Sequence, residues 1–178
     1  MKEAYVILVD ESNNPIGMME KMETHRKALL HRAVSVFIIN SNGEWILQKR
    51  ALDKYHSMGL WTNTCCTHPS PGESDMESAN RRLIEEMGIN CKLKKLFSFI
   101  YKEKLDNELT EYEYDHVFIG ISDTEPVINT FEVDDWKKIY YEELQKDIIA
   151  NPDNYTCWFK EIYENVNYNI LNSFNNEL

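Results

Sequence analysis

A chain of 178 residues, 43% hydrophobic and 12% aromatic, is long enough to bury about two-thirds of its unfolded surface and suits one globular domain spanning residues 1–178. Its formal charge of −11 leaves no basic stripe for a phosphate backbone, which argues against a nucleic-acid partner. The longest apolar run, Val34 to Ile39 with Ser35 inside it, is far too short to cross a bilayer, so no membrane association is expected.

In chain order, Tyr5 to Val9 reads as a strand that turns through Glu11–Pro15 and returns along Ile16 to Met19. The N-terminus meets Asp10 before any long apolar core or cleavage site, so no signal peptide is expected. Ala33 to Ile39 is a β-branched apolar run, Ser41-Asn-Gly43 is a hairpin signal, and Trp45 to Arg50 alternates as the second strand. Trp61 to Pro69 packs a thiol and an imidazole into a loop approaching a helix. Ser74-Asp-Met-Glu77 is a capping box, Met76, Ala79, Leu83 and Met87 keep helical spacing, and Gly88 supplies the stop. Cys91 to Tyr101 and Tyr112 to Ile121 predict a strand pair around the polar loop Asp106 to Thr110. Glu132 to Tyr140 predicts a strand, Glu142 to Ala150 a short helix before Pro152, and Tyr155 to Phe174 an aromatic terminal helix. Strands come first and then mix with helices, which predicts an α+β fold with a mixed central sheet flanked by helices.

The four cysteines, Cys65, Cys66, Cys91 and Cys157, make neither a disulfide framework nor a C-x-x-C zinc pair, so a reducing, cytoplasmic setting is expected. Glu111 and Glu113 leave one face of a strand while Tyr112 and Tyr114 leave the other. If that face looks inward, two carboxylates converge and need a metal or cations to offset their repulsion; if outward, they are a solvated edge. His25, His31 and His68 together with one or two carboxylates would suit Mg²⁺, Mn²⁺ or Zn²⁺, yet no local H-x-x-x-H spacing joins them, and separate surface histidines are the alternative.

Arg81-Arg-Leu-Ile-Glu-Glu-Met-Gly-Ile89 resembles the second half of the Nudix box, whose helix offers glutamates to a diphosphate-bound Mg²⁺, and Glu73 falls where the box has its first glutamate. Thr67 stands in place of the leading glycine and Arg82 in place of a glutamate. Arginine there suits gripping a diphosphate better than cleaving it. The same departures mark one branch of that superfamily, the type I isopentenyl-diphosphate isomerases, which resemble this chain from about residue 21 to 158. The resemblance rests on five separated motifs in order: Leu29 to Phe37, Gln48 to Lys54, Gly59 to Pro69, Arg81 to Gly88 and Glu111 to Glu113. Met58 and Cys157 stand where that family commonly has proline.

The resemblance implies a Nudix-like fold and interconversion of isopentenyl and dimethylallyl diphosphate, with a small prenyl diphosphate as the partner. It implies Cys66 and Glu113 as the catalytic pair, with Tyr101 hydrogen-bonded near the acid. It implies His25, His31, His68, Glu111 and Glu113 as ligands of a divalent metal, and Glu86 as the support of a second Mg²⁺ on the diphosphate. Lys21, Arg50, Lys54 and Arg82 match the cationic grip, and Trp158 an aromatic wall beside the reacting carbons. Cys65, Cys91 and Cys157 are expected to pack. Moving a double bond requires a proton delivered to one carbon and another removed from the far side, hence two groups on opposite faces. Two other functions compete: a Nudix pyrophosphohydrolase, against which Arg82 and Cys66 count, and a binding module with a structural ion, which three histidines and two carboxylates fit poorly.

Overall fold

The computed structural model describes residues 4–105 and 108–175. In chain order these residues form β1 (Tyr5–Val9), β2 (Pro15–Glu20), α1 (Lys21–Lys27), β3 (His31–Ile39), β4 (Glu44–Arg50), β5 (Trp61–Thr62), β6 (Cys65–Thr67) and α2 (Asp75–Met87). There follow β7 (Leu93–Lys104), β8 (Thr110–Ile121), β9 (Val133–Tyr140), α3 (Tyr141–Ala150), a 3-10 turn (Pro152–Asn154) and α4 (Cys157–Asn175).

The apolar run of β3 has the near-continuous character of a strand covered on both faces. Along one edge it pairs in parallel with β8, from His31 opposite Glu113 to Ile39 opposite Ile121. Its other edge is shared in turn by β1, by β6 (Ser35 opposite Cys66) and by β4 (Ile38 opposite Ile46). β7 extends the sheet beyond β8, and β5 and β9 pair with β4. Alternate β3 side chains part to two layers. Val34, Val36 and Ile38 meet Ala79, Leu83 and Met87 of α2, while Phe37 and Ile39 meet Phe159, Ile162 and Val166 of α4. Each fully buried side chain of this size contributes about 1.5–3 kcal/mol, so these two layers fix where the helices lie.

Local chemistry sets the element ends. Asn40 Oδ1 accepts from the backbone N–H groups of Asn42 and Glu44, and Gly43 takes φ +82°, closing the β3–β4 hairpin. Ser74 and Glu77 make the reciprocal capping box of α2. Gly88 ends that helix at φ +66°, where an added Cβ would lie 2.9 Å from the Val127 carbonyl oxygen. Met76, spaced as an apolar helix position, is instead exposed in the first turn of α2.

The sequence missed three features. α1 is capped by the Glu20 carboxylate, which accepts from the N–H groups of Met22 and Glu23; a glutamate cap is an uncommon signal and the helix is only seven residues long. Residues 61–69 are not loop throughout but supply β5 and β6, too short for a periodic pattern. The 3-10 turn at Pro152 separates α3 from α4. Of the polar loop expected at Asp106 to Thr110, positions 106 and 107 lie outside the described residues. No helix among the described residues is long and apolar enough to cross a membrane.

Candidate active site

The register of the sheet assembles the site. His31 at the start of β3 faces Glu113 of β8, and Tyr101 of β7 faces Glu113 from the other side. Glu111 and Glu113, on one face of β8, are 3% and 7% exposed, so the face looks inward. α1 adds Lys21 and His25, one turn apart, and the segment after β6 adds His68. One donor atom from each of His25, His31, His68, Glu111 and Glu113 lies within 4.8 Å of the others.

The backbone orients these imidazoles. The Leu29 carbonyl accepts from His31 Nδ1 at 2.9 Å and the Lys21 carbonyl from His25 Nδ1 at 2.7 Å, which leaves each Nε2 as the free acceptor facing the cluster. His25 Nε2 and Glu111 Oε2 then stand 3.3 Å apart, both buried and without a hydrogen-bond partner. His31 Nε2 and His68 Nε2 approach to 3.2 Å, and His68 Nε2 lies 2.8 Å from Glu113 Oε1. His25 Nε2 and Glu111 Oε2, two buried acceptors facing each other without a partner, call for a positive charge between them. The proton affinities report the same demand. Burial pulls His25 down, but Glu111 beside it wins and raises it. Burial opposes the charge on Glu111, yet His25 and His56 hold its carboxyl well below the usual range. Three nitrogens and two carboxylates in this arrangement fit a divalent metal ion.

Tyr101 Oη donates to Glu113 Oε2 at 2.6 Å. Cys66 donates its S–H to Asn63 Oδ1 at 3.0 Å, and both amide hydrogens of Asn63 are engaged by the carbonyls of Val36 and Cys65, so Asn63 presents an acceptor to the sulfur. Burial, and then the neighbouring Asp115, push the thiol up to about 12. The Ser35 hydroxyl, 3.9 Å from Sγ, already donates to Asp115, and the charge of Arg50 does not offset the desolvation of the sulfur.

The predicted cations gather on a cavity of about 640 Å³, which Cys66, His68, Tyr101, Glu111, Glu113 and Trp158 also line. Lys21 Nζ sits 4.7 Å from the centre of the Tyr55 ring. Arg50 donates to the carbonyls of Ser57 and His56 and lies 5.3 Å from the Trp158 ring, whose Nε1 donates to Thr62 Oγ1 at 3.0 Å. Lys54 pairs with Glu132. Arg82 meets Glu85 at 2.9 Å and Glu86 at 2.5 Å. Glu86 stands apart from the five-donor cluster, buried behind Arg82 and also accepting from Gln48 Nε2 at 2.9 Å. Glu73 is clasped by Arg81 at 2.6 Å rather than turned to the cavity.

Four neighbours escaped the sequence reading. His56 Nε2 lies 3.0 Å from Glu111 Oε1 and steadies that carboxylate; its place two residues after Lys54 was the available signal. Asn63 holds the thiol, Asp115 lies beneath it through Ser35 at 2.7 Å, and Glu132 joins the cations. In so acidic a chain nothing distinguishes Glu132 or Asp115 beforehand.

A family model for the NUDIX domain matches residues 29–159. The chain is 53% identical over 163 residues to an isopentenyl-diphosphate Delta-isomerase 2 of Photorhabdus laumondii, covering 92% of each protein. It is 48% identical over 164 residues to an isopentenyl-diphosphate Delta-isomerase 2 of Aromatoleum aromaticum, covering 92% of this chain and 87% of that one. Among solved structures, a protein of Deinococcus radiodurans superposes with a TM-score of 0.69 at 20% identity, over 83% of this chain and 90% of the other. A MutT protein of Methanosarcina mazei does so at 0.64 and 18%, over 78% and 94%. At those identities the structural likeness speaks for the fold alone.

Proposed function

We propose a residue-level mechanism from one premise: the chain belongs to the Nudix family and, within it, to the type I isopentenyl-diphosphate isomerases. It interconverts isopentenyl diphosphate and dimethylallyl diphosphate. In the forward direction a C–H bond forms at the terminal alkene carbon and a C–H bond breaks at the carbon nearer the diphosphate, so one group gives a proton and another takes one. Glu113 in its protonated form, beside the Tyr101 hydroxyl, gives the proton, and Cys66 in its thiolate form, having first lost its S–H proton, receives the other and becomes the thiol. The observation that carries this assignment is that one cavity is lined by a thiol and a carboxylate, while arginine occupies position 82 of the box helix.

His25, His31, His68, Glu111 and Glu113 would hold Mg²⁺, Mn²⁺ or Zn²⁺. When bound, that ion supplies the positive charge that offsets the two glutamates and favours ionisation of nearby acids. Lys21, Arg50, Lys54 and Arg82 would bind the diphosphate, and Glu86 would support a second Mg²⁺ held with it. Trp158, fixed through Thr62, walls the reacting carbons; a ring face stabilises developing positive charge by about 1–2 kcal/mol where water is excluded. Water exclusion also protects the cationic state from capture. Free Cys65, Cys66, Cys91 and Cys157 support a cytoplasmic setting, and the spread of the sheet from β1 to β9 supports one domain over residues 1–178.

Purified protein with Mg²⁺ is expected to turn isopentenyl diphosphate into dimethylallyl diphosphate with no phosphate released. Release of phosphate instead would return the chain to the hydrolases of its superfamily.

A further inference from the structure

Glu132 stands at the turn before β9, and its one carboxylate reaches two cavity cations carried by separate elements. Lys54, from the connection between β4 and β5, pairs with Oε2, and Arg82 Nη2, from α2, lies 3.3 Å from Oε1. The backbone beneath the carboxylate is bolted on both sides. The Glu132 N–H donates to the Asn129 carbonyl at 2.9 Å, the Asn129 N–H donates to the Glu86 carbonyl at 2.9 Å, and the Glu132 carbonyl accepts from the Ala51 N–H at 3.1 Å. Turn, helix and lysine-bearing connection are thus joined at one residue, which the reaction does not use.

We propose that Glu132 is a positioning residue of the diphosphate end, holding Lys54 and Arg82 as a stand-in anion and yielding them to the incoming diphosphate. The inference rests on the reading of those two cations as diphosphate ligands. Charge accounting supports it: around Lys54 and Arg82 stand Glu85, Glu86 and Glu132, and Arg81 shares Glu85 and clasps Glu73, so three cations face four carboxylates before any phosphate arrives. An anion entering such a site must displace a carboxylate or share its cations. Glu85 and Glu86 belong to the same helix as Arg82 and travel with it. Of these carboxylates, Glu132 is the one that pairs with both Lys54 and Arg82. Burial works against the charge on Glu132, but the hydrogen bond and charge of Lys54 lower its proton affinity, so it competes as a carboxylate at neutral pH. A carboxylate here orders a flexible lysine beside the cavity, at the expense of affinity for a bare anion.

The test uses Glu132→Gln, which keeps the side chain's shape and removes its charge, with inorganic pyrophosphate titrated calorimetrically into the full chain at fixed Mg²⁺. The account expects the Kd to fall about fivefold, the scale of a partly exposed ion pair, and the gain to shrink below about twofold in a Lys54→Met background. Glu132→Asp, with the carboxylate withdrawn by one methylene, is expected to lie between and serves if the glutamine variant folds poorly. A residue that merely braces the turn would lower the melting temperature without tightening pyrophosphate binding. Unchanged or weaker binding in both Glu132 variants overturns the proposal. Lys54→Met alone separates the two layers of the argument: if it weakens pyrophosphate while Glu132→Gln gains nothing, only the role of Glu132 fails, and if it changes nothing, the cationic reading fails with it.

Discussion

Cys66 and Cys65 adjoin in sequence and part in surroundings because β6 turns them to opposite faces. Cys65 is fully buried among Val34, Ala79 and Leu83, whereas Cys66 faces the cavity with its S–H on Asn63. Cys66→Ala is expected to lower kcat by about 10²–10⁴, the range of a lost proton-transfer group, while Cys65→Ala retains most turnover. Steady-state kinetics on the two variants checks this; equal losses would mean that the pair acts through structure. In the proposed mechanism Tyr101 supports Glu113 through its hydroxyl and transfers no proton, so Tyr101→Phe should cost less than Cys66→Ala. Cys66 and His68 were legible from their motif, and so was Glu113. Whether Glu111 and Glu113 faced water or the interior was not, since spacing fixes a common face and only the layer of α4 and the cover of α1 decide which face is buried.

At the scale of elements, α2 is held at both ends by chemistry written in its sequence. Ser74→Ala removes one half of the capping box and is expected to cost about 1 kcal/mol by urea denaturation. The same helix start carries Asp75, whose Oδ2 lies 3.2 Å from His116 Nε2 on the face of β8 turned away from the cavity. His116 is buried there among Asn13 from the β1–β2 turn, Lys95 and Ser98 from β7, the Tyr114 ring on its own strand, and Arg32 of β3, which reaches Asp75. Burial, aided by Lys95 and Arg32 and opposed by Asp75, drops its pKa from 6.5 to about 4. Between those values the unfolded chain takes up a proton that the folded chain refuses. Stability is therefore full above pH 6.5 and declines toward pH 4, by at most about 1.4 kcal/mol per pH unit from this group. His116→Gln should flatten that limb of the denaturation midpoint plotted against pH; an unaltered slope would place the acid sensitivity elsewhere.

Across the whole molecule, the cluster of acceptors under α1 ties the N-terminal hairpin and helix to β3, β8 and the segment after β6, so filling it should stabilise the entire chain. A divalent ion at about 100 times its Kd adds about 2.7 kcal/mol. For a chain of this size that corresponds to about 5–10 °C in Tm. Chelation should reverse the gain, and His25→Asn should remove most of it, both by thermal shift. The longer strands of the sheet and the helices α2, α3 and α4 were legible from alternation, turn residues and caps. α1, β5 and β6 were not, because two to seven residues carry too little periodicity, and their places are imposed by Glu20 and by pairing along β3. The cations could be enumerated from the motifs, but their carboxylate partners could not, since Glu132 meets Lys54 across 78 residues of chain.

The claim that one thiol and one carboxylate move two protons across a single cavity is tested most directly by turnover in deuterated water with Mg²⁺. The wild-type chain is expected to place deuterium in both isopentenyl and dimethylallyl diphosphate, and Cys66→Ala and Glu113→Gln are each expected to lose interconversion. Product formation without solvent deuterium, or full labelling by both variants, would contradict it.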